Sequence, residues 1–68
     1  MKIKITILPS NLKKEVEITK DSTVSDLLKK MNIKPDTVIV LVDKKPVPID
    51  DLIGDVQELE LLQVASGG

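Results

Sequence analysis

Hydrophobic and polar residues alternate at the start of the chain. Residues 2–7 read Lys-Ile-Lys-Ile-Thr-Ile, so the three isoleucines point to one face of a strand. After a Pro-Ser-Asn turn, the alternation resumes in Glu-Val-Glu-Ile-Thr at 15–19. The two segments predict an antiparallel hairpin with one buried face, in which we expect Ile5 to lie opposite Val16.

From Val24 onward, apolar residues recur every three or four positions instead of every two, which is the spacing of a helix. Thr23 and Asp26 form an approximate capping box at its start. Asn32 suits a left-handed C-terminal cap, so we expect the helix to end near Met31. The apolar stripe on this helix consists of Val24, Leu27, Leu28 and Met31.

A continuous run of apolar, mostly β-branched residues at 37–42 is typical of a strand in the middle of a sheet that is covered on both faces. The helix covers one face, and two interpretations are open for the other. Either Ile39 and Leu41 belong to an exposed docking patch, or a loop buries them. The pattern that follows predicts a turn at 43–46, an edge segment at 47–49 and a single helical turn at 50–53.

The last strand is predicted at 58–64, where Leu62 and Val64 lie on the face opposite two other leucines. The element order is strand, strand, helix, strand, short strand, strand, which predicts an α+β layer pair. The last strand has a place beside the first and parallel to it, which is the β-grasp arrangement. We therefore predict a β-grasp domain at 1–64, with a mixed four- to five-stranded sheet and one main helix, and a flexible tail at 65–68.

Composition narrows the chemistry of this single domain of 68 residues. Without Cys or His, thiol nucleophiles, zinc fingers and His-based catalysis are excluded. The chain has no aromatic residue on which bases could stack, and its net charge of −1 does not attract the phosphates of nucleic acid. Nucleic-acid binding is therefore not expected. No stretch resembles a signal peptide or a membrane span, so we expect no membrane partner and a cytoplasmic location.

Candidate catalytic groups are weak throughout the chain. The adjacent carboxylates of Asp50 and Asp51 lack a third ligand for a metal ion. Glu58 and Glu60 share a strand face, yet no cation or cleft accompanies them, and no serine has a histidine to activate it. We therefore predict no catalytic residue, no metal site and no bound cofactor, and we expect that the protein is not an enzyme.

The last two residues of the sequence are Gly67 and Gly68. Average glycine usage of about 7% would produce such a pair in roughly one chain in 200. Glycine lacks a Cβ and can pass through a channel too narrow for other residues. A terminal carboxylate reacts only after activation, for example as an acyl-adenylate, so a separate enzyme that uses ATP would have to act on it.

Several segments together resemble a known family over essentially the whole chain. They are Thr-Val-Ser-Asp-Leu-Leu at 23–28, Val-Ile-Val-Leu-Val-Asp at 38–43 with Val-Pro at 47–48, Leu-Glu-Leu-Leu at 59–62, and Ser-Gly-Gly at 66–68. The chain is similar to the small β-grasp proteins that carry sulfur for thiamin and molybdopterin synthesis, and to ubiquitin-related and small archaeal modifier proteins. Only the final glycines are specific for function, because the other segments mark the fold.

The resemblance implies that a ubiquitin-activating-type enzyme adenylates Gly68. Gly68 would then carry sulfur as a thiocarboxylate or be joined to lysines of target proteins, with Gly67 and Ser66 in the enzyme's channel. A sulfur donor or a sulfur-accepting synthase would be a further partner. We expect the activating enzyme to dock on an outer patch of Ile39, Leu41, Leu62 and Val64. The alternative is a noncatalytic β-grasp interaction module, whose binding would survive removal of both glycines.

Overall fold

A computed structural model describes residues 1–64 of the chain. The predicted tail, 65–68, lies outside the described residues. The elements, in chain order, are strand β1 (Lys2–Leu8), strand β2 (Leu12–Glu17), helix α1 (Val24–Lys30), a 3₁₀ turn (Pro35–Thr37), and strands β3 (Val38–Val42), β4 (Lys45–Pro46) and β5 (Glu58–Gln63).

The five strands form one mixed sheet in the order β2-β1-β5-β3-β4. β5 lies in the centre, parallel to β1 and antiparallel to β3. The helix covers one face of the sheet, where the core includes Ile3, Ile5, Leu27, Leu28, Ile53 and Leu61, all at most 2% exposed. The predicted α+β fold and the parallel pairing of the first and last strands are confirmed.

Local hydrogen bonds define both ends of α1. The Thr23 side chain accepts a hydrogen bond from the Asp26 amide (3.1 Å), and the Asp26 carboxylate accepts one from the Thr23 amide (3.0 Å). At the other end Asn32 has a φ of 60°. Its amide and that of Ile33 donate to the carbonyl oxygens of Lys29 and Leu28, which is the Schellman arrangement. The predicted capping box and helix end are confirmed.

The capping box makes the stability of the folded domain depend on pH, through the Asp26 carboxylate. Hydrogen bonds from the Thr23 backbone and side chain, with a smaller contribution from Lys29, hold the pKa of Asp26 below its usual value of 3.8. A lowered pKa stabilises the folded state above pH 3.8, and that contribution is lost as the pH falls through the folded-state pKa. We expect Asp26→Asn to lower the melting temperature at pH 7. The difference from the unsubstituted protein should shrink below pH 3.8 in thermal melts, and a difference independent of pH would contradict this cause.

The hairpin register differs from the predicted one by two residues. Ile3, rather than Ile5, lies opposite Val16, because Ile7 pairs directly with Leu12 across a short connection. The length of a hairpin loop determines the register. A shift of two residues keeps every side chain on its predicted face, so the isoleucines of β1 remain in the core. The second strand accordingly runs over Leu12–Glu17 and not over 15–19.

Three other predictions, all for residues 38–53, were wrong in whole or in part. β3 lies inside the sheet as predicted, between β5 and β4, but it is not covered on both faces: Val38 and Val40 are buried, while Ile39 is 40% exposed. The edge strand is Lys45–Pro46 and not 47–49, because the turn is confined to Asp43 and Lys44, both with positive φ. Residues 50–53 do not form a helical turn: a turn ends at Asp50, Asp51 is a bend, and Leu52 makes an isolated bridge with Thr23 beside the helix start.

Candidate functional site

The face of the sheet opposite α1 carries the apolar patch predicted from the sequence. Ile39 and Leu62 are directly opposite in the β3–β5 ladder. Ile39 is 40% exposed, and Leu62 is half-buried. Leu41, also half-buried, lies two residues along β3 on the same face. Of the two interpretations of Ile39 and Leu41, partial exposure is the one that the structure supports.

Val64 extends this surface beyond the end of β5. The strand ends at Gln63, one residue earlier than predicted. The Val64 amide nevertheless donates to the Thr37 carbonyl oxygen (3.0 Å), which holds the backbone beside β3. The side chain of Val64 is 37% exposed. The structure therefore brings all four predicted patch residues to one side of the sheet.

Leu8 is a fifth member, which the sequence analysis missed. It is half-buried and pairs with Leu62 in the parallel β1–β5 ladder. Leu62 thus lies in a row between Leu8 of β1 and Ile39 of β3. The signal was available in the predicted parallel pairing: once Ile5 is placed beside Leu59, Leu8 falls beside Leu62. We call the surface formed by Leu8, Ile39, Leu41, Leu62 and Val64 the outer patch.

A charged region borders the outer patch on one side. Glu60 of β5 lies between Thr6 of β1 and Leu41 of β3. Its carboxylate is 3.8 Å from the Lys44 ammonium group, and both side chains remain accessible to solvent. An apolar centre beside a polar rim is the usual composition of a protein interface. The outer patch is thus an apolar surface with a charged pair at one border.

Titratable groups on the described surface show no arrangement typical of catalysis. No polar or charged residue is buried within residues 1–64. Over the same range no cluster of three or more acidic side chains could hold a metal ion, and no helix has the length and apolar character needed to cross a membrane. The predicted site residues Ser66, Gly67 and Gly68 lie outside the part of the chain that the structure describes.

Comparison with solved structures places the fold in the ubiquitin-like class. The ubiquitin of Caldiarchaeum subterraneum superimposes with a TM-score of 0.76 over 100% of this chain and 98% of its own. Its sequence identity is 20%, so the likeness concerns the fold alone. The protein is a ubiquitin-like β-grasp protein.

Sequence comparison then defines the family. The family model for small archaeal modifier protein 2 matches residues 1–65. Small archaeal modifier protein 2 of Haloferax volcanii is 37% identical over 54 residues, which covers 79% of this chain and 80% of that one. An uncharacterized protein of Archaeoglobus fulgidus is 38% identical over 69 residues and covers 100% of both chains. The chain belongs to the small archaeal modifier protein 2 family.

Proposed function

We propose that this protein is a covalent carrier whose Gly68 carboxylate is activated by a ubiquitin-activating-type enzyme that uses ATP. Activated Gly68 receives sulfur as a thiocarboxylate, for cofactor biosynthesis or tRNA thiolation, or is joined to lysines of target proteins. The carrier itself contributes no catalytic group. We place these reactions in the cytoplasm, where ATP is supplied to the partner enzyme.

The proposed chemistry begins with attack of the Gly68 carboxylate on the α-phosphate of ATP. This step forms an acyl-adenylate and releases pyrophosphate. If hydrosulfide attacks the acyl-adenylate and displaces AMP, the product is a thiocarboxylate. If a lysine amine attacks and displaces AMP, the product is an isopeptide bond. Glycine at 67 and 68 suits a narrow channel because neither residue has a Cβ.

The observation that carries this proposal is the position of the outer patch relative to the glycine pair. Leu62 lies on β5 and Val64 directly follows that strand, only a few residues before Gly67 in the sequence. An extended chain spans at most about 3.6 Å per residue, so Gly68 can lie no farther than about 14 Å from Val64. An enzyme that holds the outer patch would therefore have the reacting carboxylate within that distance.

Membership in the small archaeal modifier protein 2 family supports the same proposal. The Haloferax relative is named a modifier, and we infer that this chain is attached to other proteins. Attachment requires an activated carboxyl group, and Gly68 is the residue that we assign to it. The enzyme, the sulfur donor or synthase, and the acceptor lysines are partners that the proposal requires.

Mass spectrometry of the tagged protein from its native cells tests the proposal. We expect an oxygen-to-sulfur mass increase at Gly68, branched peptides that link Gly68 to lysines, or both. The first signal identifies a sulfur carrier and the second a modifier. A free carboxylate alone, even with the activating enzyme and ATP present, would overturn the proposal in favour of an interaction module.

Charge introduced into the outer patch should weaken docking to the activating enzyme. Ile39→Asp and Leu62→Asp each place a carboxylate among apolar side chains that the enzyme would cover. We expect each to raise the KM for the carrier at least about tenfold in an ATP–pyrophosphate exchange assay, as for a truncated interface hot spot.

Leu52→Asp is the matched control, because Leu52 is 64% exposed and lies beside the helix start, away from the outer patch. Its KM should stay within about twofold of the unsubstituted protein, as expected for an exposed site outside the contact. If Ile39→Asp and Leu52→Asp changed the KM equally, the activating enzyme would not bind at the outer patch. A loss of folding in Leu62→Asp would show that Leu62 belongs to the core, and Ile39→Asp would then carry the test.

A further inference from the structure

The two edges of the sheet differ in how well they are protected against pairing with another chain. At one edge, β4 is only Lys45–Pro46. A short strand with proline cannot offer a continuous ladder. At the other edge, β2 spans Leu12–Glu17 without proline, and no strand within residues 1–64 pairs with its outer side. The β2 edge is therefore the one able to accept another strand.

The ladder between β1 and β2 determines which backbone groups of β2 are free. Met1 and Ile18 exchange two hydrogen bonds, 2.8 and 3.0 Å long. Hydrogen-bonded and non-bonded pairs alternate in an antiparallel ladder. Since Lys2 pairs with Glu17 and Lys4 with Glu15, these pairs are the non-bonded ones. The Lys4 amide indeed donates away from β2, to the Gln57 carbonyl oxygen (2.9 Å).

The same alternation points the backbone amide and carbonyl groups of Lys13, Glu15 and Glu17 away from β1. The Glu17 carbonyl oxygen already accepts a hydrogen bond from the Lys30 ammonium group at the end of α1. The open part of the edge is therefore formed by Lys13 and Glu15, two exposed residues of opposite charge.

We propose that β2 pairs with β2 of a second copy of this chain, antiparallel, about a two-fold axis through Lys14. In this register Lys13 of each copy lies opposite Glu15 of the other, so the pair occurs twice. Their backbones exchange the hydrogen bonds left open at the edge, and their side chains form two cross-strand ion pairs. The five-stranded sheets of the two copies become one continuous sheet.

Apolar side chains favour the same register on the helix side of the sheet. Leu12 is 51% exposed and Val16 is half-buried. An axis through Lys14 brings Leu12 opposite Val16 of the second copy, again twice. An axis through Glu15 would set Glu15 against itself and would require the Glu17 carbonyl oxygen that Lys30 holds. At the axis, Lys14 lies opposite Lys14 of the second copy. Both side chains are long and exposed, and their repulsion limits the affinity of the dimer.

Sedimentation equilibrium up to millimolar protein measures the association. We expect Lys13→Glu and Glu15→Lys each to weaken it at least about tenfold, because each turns two attractive pairs into repulsive ones. The double variant Lys13→Glu/Glu15→Lys should restore it. Lys14→Thr should strengthen it by removing the repulsion at the axis. Lys45→Glu, the same charge change at the opposite edge, is the control and should leave association unchanged.

Amide hydrogen exchange locates the contact within the same samples. Protection of the Lys13 and Glu15 amides should rise with protein concentration, whereas the Lys14 amide, which faces β1, should be protected throughout. A monomer at every concentration would overturn the proposal, as would a dimer that Lys13→Glu leaves intact. Capture of an unrelated extended peptide by a strictly monomeric chain would also overturn it.

Discussion

Removal of Gly67 and Gly68 is expected to abolish both the thiocarboxylate and every lysine conjugate. The reason is chemical: the proposed acyl-adenylate forms on the Gly68 carboxylate, and a chain that stops at Ser66 presents a side chain at the reacting residue. Gly67→Val should reduce adenylation strongly, because a branched Cβ obstructs a narrow channel. ATP–pyrophosphate exchange and mass spectrometry of the conjugates measure the two effects.

The matched control for these changes is Ser66→Ala, which keeps a small side chain and both glycines. It should be adenylated at a rate close to that of the unsubstituted protein. All these variants should melt at the same temperature, because the core lies within residues 1–64. Continued conjugation after loss of both glycines would show that the reacting carboxyl group lies elsewhere, and the proposed function would fail.

Leu28→Ala is expected to destabilise the described domain strongly. Leu28 is 0% exposed, and removal of a buried leucine side chain costs about 2–5 kcal/mol. A domain of 68 residues has a total stability of about 3–10 kcal/mol. The variant should therefore lose a large part of its free energy of unfolding, which urea denaturation at 25 °C measures with an unchanged m-value.

Leu52→Ala provides the comparison, since the same side chain is removed at a position 64% exposed. Its free energy of unfolding should change by no more than about 0.5 kcal/mol. If the two variants were equally stable, Leu28 would not be a core residue. Because Leu28 faces away from the outer patch, the folded fraction of Leu28→Ala should still be adenylated.

Most features that the sequence predicted correctly depend on residues close together in the chain. The exception is the parallel β1–β5 pairing, which followed from the order of the elements. Thr23 and Asp26 are three residues apart and form the capping box without help from the rest of the fold. Asn32 ends the helix through bonds to carbonyl groups of the preceding turn. The alternation in β1 likewise identified its buried face, because side chains in a strand change sides at every residue.

The candidate site was predictable in part for the same reason. Strand periodicity put Leu62 and Val64 on the face opposite Leu59, so their membership in the outer patch followed from position alone. Leu8 was missed because its place depends on the register between β1 and β5, strands from the two ends of the described chain. The charged border at Glu60 and Lys44 depends in turn on the β3–β5 pairing and the turn after β3.

By itself, the sequence determined the order of the strands and the main helix, the helix caps, the buried faces of the strands and the exclusion of Cys and His chemistry. Only the tertiary structure decided the hairpin register, the position of the edge strand at Lys45–Pro46, the partial exposure of Ile39 and the non-helical path of 50–53. The physical reason is the range of the interactions. Caps and alternation involve residues within about four positions of each other, whereas registers and edges depend on loop closure and on pairing across the whole sheet.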